Sequence, residues 1–118
     1  MLACTIYNEA GDMINCSDDT RLKVGNVVLN RIAHPDFPDT MYEVLTDYRQ
    51  YGMFYWTGIV WADRGDSPEE QKAKENAYAI ARRLLEGERV FDSDVIWQAE
   101  FFQGTELVSY QDGIYFCK

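Results

Sequence analysis

The chain has 118 residues and carries 11 lysines and arginines against 20 aspartates and glutamates, a net charge of −9. This length fits one domain with a substantial core, so we treat residues 1–118 as a single domain. The acidic balance argues against nucleic acid as a partner, because a phosphate-backbone binder carries a basic face. No apolar run approaches the roughly 20 residues that span a bilayer, so we expect no membrane insertion.

Cysteine and histidine usage narrows the chemistry further. The three cysteines have no paired spacing and are expected to be free thiols, although the two near the termini could bridge if the fold brings them together. They are Cys4, Cys16 and Cys117. His34 is the only histidine, which excludes multi-histidine metal sites, and we expect neither metal nor cofactor. Because Pro35 follows it, we expect His34 to cap a helix end.

The first predicted helix covers Leu2 to Ala10, where apolar residues recur at spacings of three and four. Glu9 lies in its last turn, before Gly11, which can end the helix. The backbone dipole presents its negative pole there, so we expect the pKa of Glu9 to be raised. A glutamate that stays protonated near neutral pH is a candidate general acid, and the alternative is a solvated surface residue.

The apolar stretch 22–33 predicts a second, central helix, with Ser17 or Asp19 as its N-cap after a loop. Gly25 weakens helix propensity, so we expect another backbone to approach closely there. Asn26 and Asn30 lie four residues apart on one face of this helix. Buried asparagines need hydrogen-bond partners, so this pair either ties down a loop or lines a cleft.

Three further elements are predicted from local signals. The segment 35–38 is a turn with an aromatic anchor, and the capping-box spacing of Thr40 and Glu43 opens a short helix. Ser67 and the proline that follows it begin a long helix that ends at Gly87. We assign no chemistry to this long helix.

Residues 47–61 follow neither a helical nor a strand period, and aromatic side chains crowd there around two glycines. These side chains are Tyr48, Tyr51, Phe54, Tyr55, Trp56 and Trp61. Flat aromatic faces interleaved with glycine suit a sugar-binding groove. The alternative is that the rings close the core beneath a long loop.

The last thirty residues predict a small β element or extended segments packed over the helices, because short apolar runs alternate there with turn residues. The predicted strand-like runs are 95–97, 101–102, 107–108 and 114–116.

In their order and spacing these segments resemble the SleB/CwlJ-type cell-wall hydrolases, a family that acts on peptidoglycan and includes spore-cortex lytic enzymes and phage enzymes. The opening LACTIYNEA is similar to the family's LAxTIYGEA segment, and VVLNRI at 27–32 is similar to its VVLNRV helix. Phe37 to Thr40 matches the family's FPxT turn, and Gln50-Tyr51 stands where the family has Gln-Phe. The FFQG of 101–104 and the terminal Tyr115-Phe116 resemble its closing aromatic segments.

The resemblance implies an α+β, mostly α, lysozyme-like domain of the lytic-transglycosylase type, with a small β element near the C-terminus. It implies that Glu9 is the catalytic acid and that peptidoglycan glycan strands are the substrate, cleaved at the β-1,4 bond between N-acetylmuramic acid and N-acetylglucosamine. The glutamate protonates the leaving oxygen and then takes the proton of the muramyl C6 hydroxyl. This closes a 1,6-anhydro ring without water, so one catalytic carboxyl suffices.

The resemblance also implies the substrate-binding residues. Hydrogen bonds to the glycan are expected from Asn30 and Gln50, and the groove walls from Tyr51, Tyr55 and Phe102. We expect a monomer that acts at the cell wall. No charged-then-apolar signal segment precedes the first helix, so we expect either export by another route or a mature fragment.

The sequence departs from the family pattern in two places that bear on activity. Asn8 stands where the family has glycine, and Ile114 stands where the family has a near-terminal histidine. If that histidine orders the cleft, the enzyme is slow, specialised or inactive. The rival interpretations are a hydrolytic muramidase, with water activated by an acid such as Asp47 or Asp12, and a glycan-binding or phage structural module that has lost turnover.

Overall fold

The computed structural model describes residues 1–10, 16–47 and 51–118. Its helices are α1 (Leu2–Ala10), α2 (Asp18–Ala33), α3 (Met41–Leu45), α4 (Gly52–Thr57) and α5 (Pro68–Leu85), and its strands are β1 (Trp97–Ala99), β2 (Leu107–Gln111) and β3 (Ile114–Cys117). About half of the chain is helical, so the predicted α+β class is confirmed. None of the described helices combines the length and apolar character needed to cross a bilayer.

The core lies where α1, α2 and α5 pack against one another. Ile6 of α1, Val28 of α2 and Leu84 of α5 are fully buried at these contacts. A Cβ added at Gly25 would overlap Cδ1 of Leu84 and lie 3.0 Å from Cδ1 of Ile6. The predicted close approach at Gly25 is therefore present, but the prediction of a backbone neighbour is wrong, because side chains of α1 and α5 fill the space.

The start of α2 is tied to the sheet by a carboxylate. Ser17 is the N-cap, and its Oγ accepts a hydrogen bond from the Thr20 amide, which settles the choice between Ser17 and Asp19. Asp112, in the turn between β2 and β3, accepts hydrogen bonds from Thr20 Oγ1 at 2.6 Å and from the Ser17 amide at 3.2 Å. These bonds hold the pKa of Asp112 below its ordinary value.

The other predicted caps are also confirmed. Thr40 caps α3 and Ser67 caps α5, each accepting a hydrogen bond from an amide three residues on, at 3.2 Å. His34 is the C-cap of α2, and its amide donates to the Arg31 carbonyl at 3.0 Å. All three cysteines are buried free thiols, as expected.

The aromatic stretch contains a helix that the sequence did not predict. In α4 the side chain of Phe54 is buried, whereas those of Met53, Tyr55 and Trp56 are exposed. The N-cap position, Tyr51, makes no side-chain capping bond. The prediction of irregular structure was wrong because this helix is one and a half turns long and has neither an apolar period nor a capping signal.

The three strands form an antiparallel sheet in the order β1-β3-β2. The central strand β3 carries the fully buried Phe116, and Tyr110 of β2 pairs with Tyr115. The predicted runs 107–108 and 114–116 lie in strands. The predicted run 95–97 overlaps β1 only at Trp97, where that strand begins. The strand-like run 101–102 is not part of a strand, and its two phenylalanines are exposed in the connection between β1 and β2 rather than packed over the helices.

Candidate active site

Glu9 is an exposed residue in the last turn of α1, and it borders two cavities. The first, the Tyr51 cavity, has a volume of about 310 Å³ and is lined by Asn8, Glu9, Tyr51, Met53, Phe54, Thr57, Val60 and Ala62. The second, the Gln98 cavity, has a volume of about 370 Å³ and is lined by Glu9, Gln98, Ala99, Glu100, Phe101, Gln103 and Ile114. Because they share Glu9, we call the two cavities together the groove.

The turn of α1 that carries Glu9 is held by Tyr7, which is fully buried. The Tyr7 hydroxyl donates a hydrogen bond to the Glu70 carboxylate at the start of α5. The guanidinium of Arg64 lies 4.1 Å from the centroid of the Tyr7 ring and donates to the Tyr7 carbonyl at 2.8 Å. A cation at a carbonyl of the last turn offsets the negative pole of the helix. The raised pKa of Glu9 stays a prediction.

Asn8 holds the wall of the Tyr51 cavity. Its Nδ2 donates to the Val60 carbonyl at 2.8 Å, and its Oδ1 accepts from the Ala62 amide at 2.9 Å. The amide side chain therefore pairs with the backbone of the chain segment that follows α4, much as a neighbouring strand would. Asn8, which stands where the family pattern has glycine, is therefore fixed by two hydrogen bonds in the wall of the Tyr51 cavity.

Tyr51 is a buried side chain in the groove, only 4% exposed. Its hydroxyl has no hydrogen-bond partner in the part of the chain that the structure describes. Burial raises the pKa of Tyr51 to about 12, so the phenol is neutral at physiological pH. Gln50, the residue before it, lies outside the described residues.

Asn30 does not face the groove, which corrects the role that the resemblance implied. It is 5% exposed, and its Nδ2 donates to the carbonyls of Asp92 at 2.8 Å and Val95 at 2.9 Å. Its Oδ1 accepts from Asn26, whose own Oδ1 accepts from the Val90 amide. Of the two alternatives for this asparagine pair, the structure has the one in which it ties down a loop.

Two predicted wall residues line neither cavity of the groove. Tyr55 is exposed, and its ring meets that of Trp56 edge-on with centroids 4.9 Å apart. Phe102 is also exposed, and its neighbour Phe101 lines the Gln98 cavity instead. The FFQG motif points to this place in the chain, but nothing in the sequence decides which of the two adjacent rings turns toward the groove.

The sequence also did not single out Gln98 and Glu100. Gln98 is on β1, and its Oε1 is buried without a hydrogen-bond partner among the described residues. Glu100 is exposed and brings a second carboxyl to the cavity that contains Glu9. Asp47 lines neither cavity, and Asp12 lies outside the described residues.

Within the described ranges, no three acidic, histidine or cysteine side chains lie close enough together to hold a metal ion. The polar side-chain groups of the groove are carboxyl, amide, phenol and hydroxyl groups, placed among apolar and aromatic surfaces. Such a lining suits an extended polar ligand with ring faces rather than a compact anion.

The fold is that of an α+β protein in which an exposed glutamate, Glu9, borders two cavities. A family model described as Cell Wall Hydrolase matches residues 16–111, and the chain belongs to this family, as the SleB/CwlJ resemblance predicted. It is accordingly a peptidoglycan-degrading enzyme. The matched segment begins after α1, so Glu9 lies before it. No curated protein and no solved structure matches the chain.

Proposed function

We propose that this chain is a lytic transglycosylase of lysozyme-like architecture, in which Glu9 is the single general acid and base. The observation that carries the proposal is the position of Glu9 at the border of both cavities. A glycan strand along the groove places one glycosidic bond over the carboxyl, with a sugar on each side. Each cavity lies within the range of about 300–1,000 Å³ found for small-ligand sites.

The reaction requires two proton transfers at Glu9. In the first, the protonated carboxyl gives its proton to the glycosidic oxygen as the bond from that oxygen to the muramyl C1 breaks, and Glu9 becomes a carboxylate. In the second, the carboxylate takes the proton of the muramyl C6 hydroxyl as O6 bonds to C1. The 1,6-anhydro ring closes, Glu9 is protonated again, and no water is consumed.

The lining of the groove supports a carbohydrate as its ligand. Phe101, which is 62% exposed, contributes an aromatic surface to the Gln98 cavity, and the buried rings of Tyr51 and Phe54 form part of the lining of the Tyr51 cavity. Sugar rings stack on such surfaces, while the amide groups of Gln98 and Gln103 can hydrogen-bond hydroxyl and acetamido groups.

The placement of the groove supports a lysozyme-like architecture. One side is helical, since Glu9 ends α1 and Phe54 lies in α4, and the other side is the edge of the sheet, where Gln98 lies in β1. A mostly helical domain with a minor β part and its acid in the first motif is what the family resemblance implies.

The position of Glu100 favours a second candidate function, a hydrolytic muramidase. Hydrolases of glycosidic bonds commonly use two carboxyl groups, one as the acid and one as a base or nucleophile. Glu100 lines the same cavity as Glu9 and could activate a water there. It takes the place of Asp47 and Asp12, the acids that the sequence suggested for this role.

Digestion of purified sacculi by the wild type and by Glu9→Gln and Glu100→Gln variants separates these functions. We expect muropeptides with 1,6-anhydromuramyl ends, a loss of about 10²–10⁴ in rate for Glu9→Gln, and near wild-type rates for Glu100→Gln. Glu69→Gln, at an exposed glutamate of α5, is the matched control. Reducing ends together with loss of activity in both groove variants would establish the hydrolase instead. Glycan binding without turnover, unchanged in Glu9→Gln, would establish a binding module.

A further inference from the structure

Arg31, near the end of α2, is an almost fully buried cation, 1% exposed. Its Nε donates a hydrogen bond to the Ile96 carbonyl at 2.6 Å, whereas Nη1 and Nη2 have no hydrogen-bond partner in the part of the chain that the structure describes. Three aromatic rings surround the guanidinium carbon, with centroids 5.3 Å away for Phe37, 5.2 Å for Tyr51 and 5.6 Å for Trp97.

This environment preserves the charge of Arg31. The negative faces of aromatic rings stabilise a cation without neutralising it, in contrast to a carboxylate in direct contact. Burial lowers the pKa of Arg31, while the charges of Tyr51, Asp47 and Glu9 raise it. A guanidinium stays protonated at any pH at which the protein is folded. Among the described residues, no carboxylate forms an ion pair with this guanidinium, so its charge acts on the groups around it.

The surroundings of Arg31 include the groove. The Tyr51 ring contacts the guanidinium, and Tyr51 also lines the Tyr51 cavity. Glu9 borders that same cavity, and its charge is one of the causes that raise the pKa of Arg31. Arg31 and Glu9 are therefore both neighbours of Tyr51, the first through a contact with its ring and the second through a shared cavity.

Resting on the proposed function, we propose that Arg31 is a positioning residue that acts through its charge, stabilising the carboxylate of Glu9 between the two proton transfers. Arg31 gives up no proton and touches no substrate. Charge stabilisation from a fixed group in a low-dielectric site is stronger than in water, and it costs no rearrangement during the reaction.

The other charges around these two residues fix the sign of the effect. In the described residues, the titratable groups that face Arg31 are Glu9 of α1, Asp47 after α3 and Tyr51 before α4. Tyr51 and Glu100 share cavities with Glu9, and Tyr51 is neutral because its pKa is about 12. Glu100 has the same charge as Glu9 and disfavours its ionisation, whereas Arg31 favours it. Removal of the Arg31 charge must therefore make Glu9 harder to ionise.

The test replaces Arg31 with methionine, which retains an unbranched apolar stem, or with lysine, which retains the charge. The pH titration of the Glu9 carboxyl is followed by carbon NMR, together with the pH dependence of cleavage. In Arg31→Met we expect the midpoint of Glu9 and the alkaline limb of activity to move up by about half a pH unit or more, with a lower kcat. Arg31→Lys should leave both where they are in the wild type.

A matched control removes a different cation from the same helix. Lys23 of α2 pairs with Asp19 at 3.2 Å and borders neither cavity of the groove. Lys23→Met should leave the midpoint of Glu9 unchanged. Arg31→Gln serves as a second neutral variant if Arg31→Met does not fold.

Each outcome decides the proposal. An unchanged Glu9 midpoint in a folded neutral variant overturns it. Since the NMR titration does not require turnover, a shifted midpoint in a protein that cleaves no glycan would uphold the coupling of Arg31 to Glu9 and refute the proposed function separately.

Discussion

The side-chain amide of Asn8 donates a hydrogen bond to the carbonyl oxygen of Val60 at 2.8 Å. The same amide accepts a hydrogen bond from Ala62, so one side chain fixes two residues of the groove wall. Asn8 directly precedes Glu9, and the wall is therefore held in register with the proposed catalytic carboxyl. The family pattern has glycine here, which could make neither hydrogen bond.

We expect Asn8→Ala to weaken substrate binding more than it slows the chemical step. Loss of two hydrogen bonds, each worth about 1 kcal/mol, frees the 60–62 segment, so KM should rise about three- to tenfold while kcat changes little. The measurement is the rate of cleavage against the concentration of soluble glycan strands. Gln71→Ala is the control. It also removes a hydrogen bond from a side-chain amide to a backbone carbonyl, that of Asp66, but at the surface of α5. An unchanged KM would show that the wall does not depend on Asn8.

Because of Asp112, we expect the free energy of unfolding to fall at acidic pH. Hydrogen bonds from Thr20 and Ser17 hold its pKa below that of an unfolded aspartate, about 3.9. The folded state thus binds fewer protons at this site, so the stabilisation is complete above the unfolded pKa and is lost as the pH falls through the folded pKa.

Asp112→Asn should therefore lower the free energy of unfolding by about 1 kcal/mol at pH 6, and the difference should shrink below about pH 4. Asparagine tolerates the φ of +51° at this position, so backbone strain does not confuse the comparison. Urea unfolding at a series of pH values measures the difference. Asp39→Asn, at an exposed aspartate, should show no such trend. A difference that stays constant from pH 6 to pH 2 would rule out the ionised carboxylate as its source.

The sequence predicted those parts of the fold that depend on neighbours in the chain. Ser17, Thr40 and Ser67 cap helices through amides three residues away, which is a signal that a short window contains. Asp112 accepts a hydrogen bond at the N-terminus of α2 from Thr20, which is 92 residues away in the sequence. No local sequence pattern indicates such a contact. The short helix α4 was missed for the related reason that it lacks local capping signals.

Some residues of the candidate site could likewise be predicted from local signals, and others could not. Glu9 and Tyr51 were found because a helix end and an aromatic motif place them, and both line the groove. Asn30 was assigned to the groove by motif alone, but its amide is used by the carbonyls of Asp92 and Val95. Packing between distant segments decides whether a polar group faces the substrate or stabilises the fold. Local sequence patterns do not show this packing.

The packing at Gly25 predicts a coupling between α2 and α5. In Gly25→Ala the new methyl group overlaps Leu84, so the protein should lose about 1–2 kcal/mol of stability, the cost of overpacking reduced by the better helix propensity of alanine. In a Leu84→Ala background the methyl group has room, and the same substitution should be neutral or stabilising. Chemical unfolding of the two single variants and the double variant gives the coupling energy. Additive losses would mean that Leu84 is not what constrains residue 25.

The adjacent phenylalanines of the β1–β2 connection offer a matched test of the groove. Phe101 lines the Gln98 cavity, whereas Phe102 lines neither cavity, and both rings are at least half exposed. Truncation of either side chain should therefore leave the core intact. Only Phe101→Ala should remove a surface on which a sugar ring stacks, and such a contact is worth about 0.5–1.5 kcal/mol.

We accordingly expect Phe101→Ala to raise KM on soluble glycan strands about two- to tenfold and Phe102→Ala to leave it near the wild-type value. Thermal unfolding of both variants checks that neither loses stability. The opposite ranking would mean that the family resemblance, which pointed to Phe102, describes the bound state better than the groove geometry does. The two residues are adjacent phenylalanines, and both are largely exposed. A difference in KM between the two variants therefore reports the direction in which each ring faces.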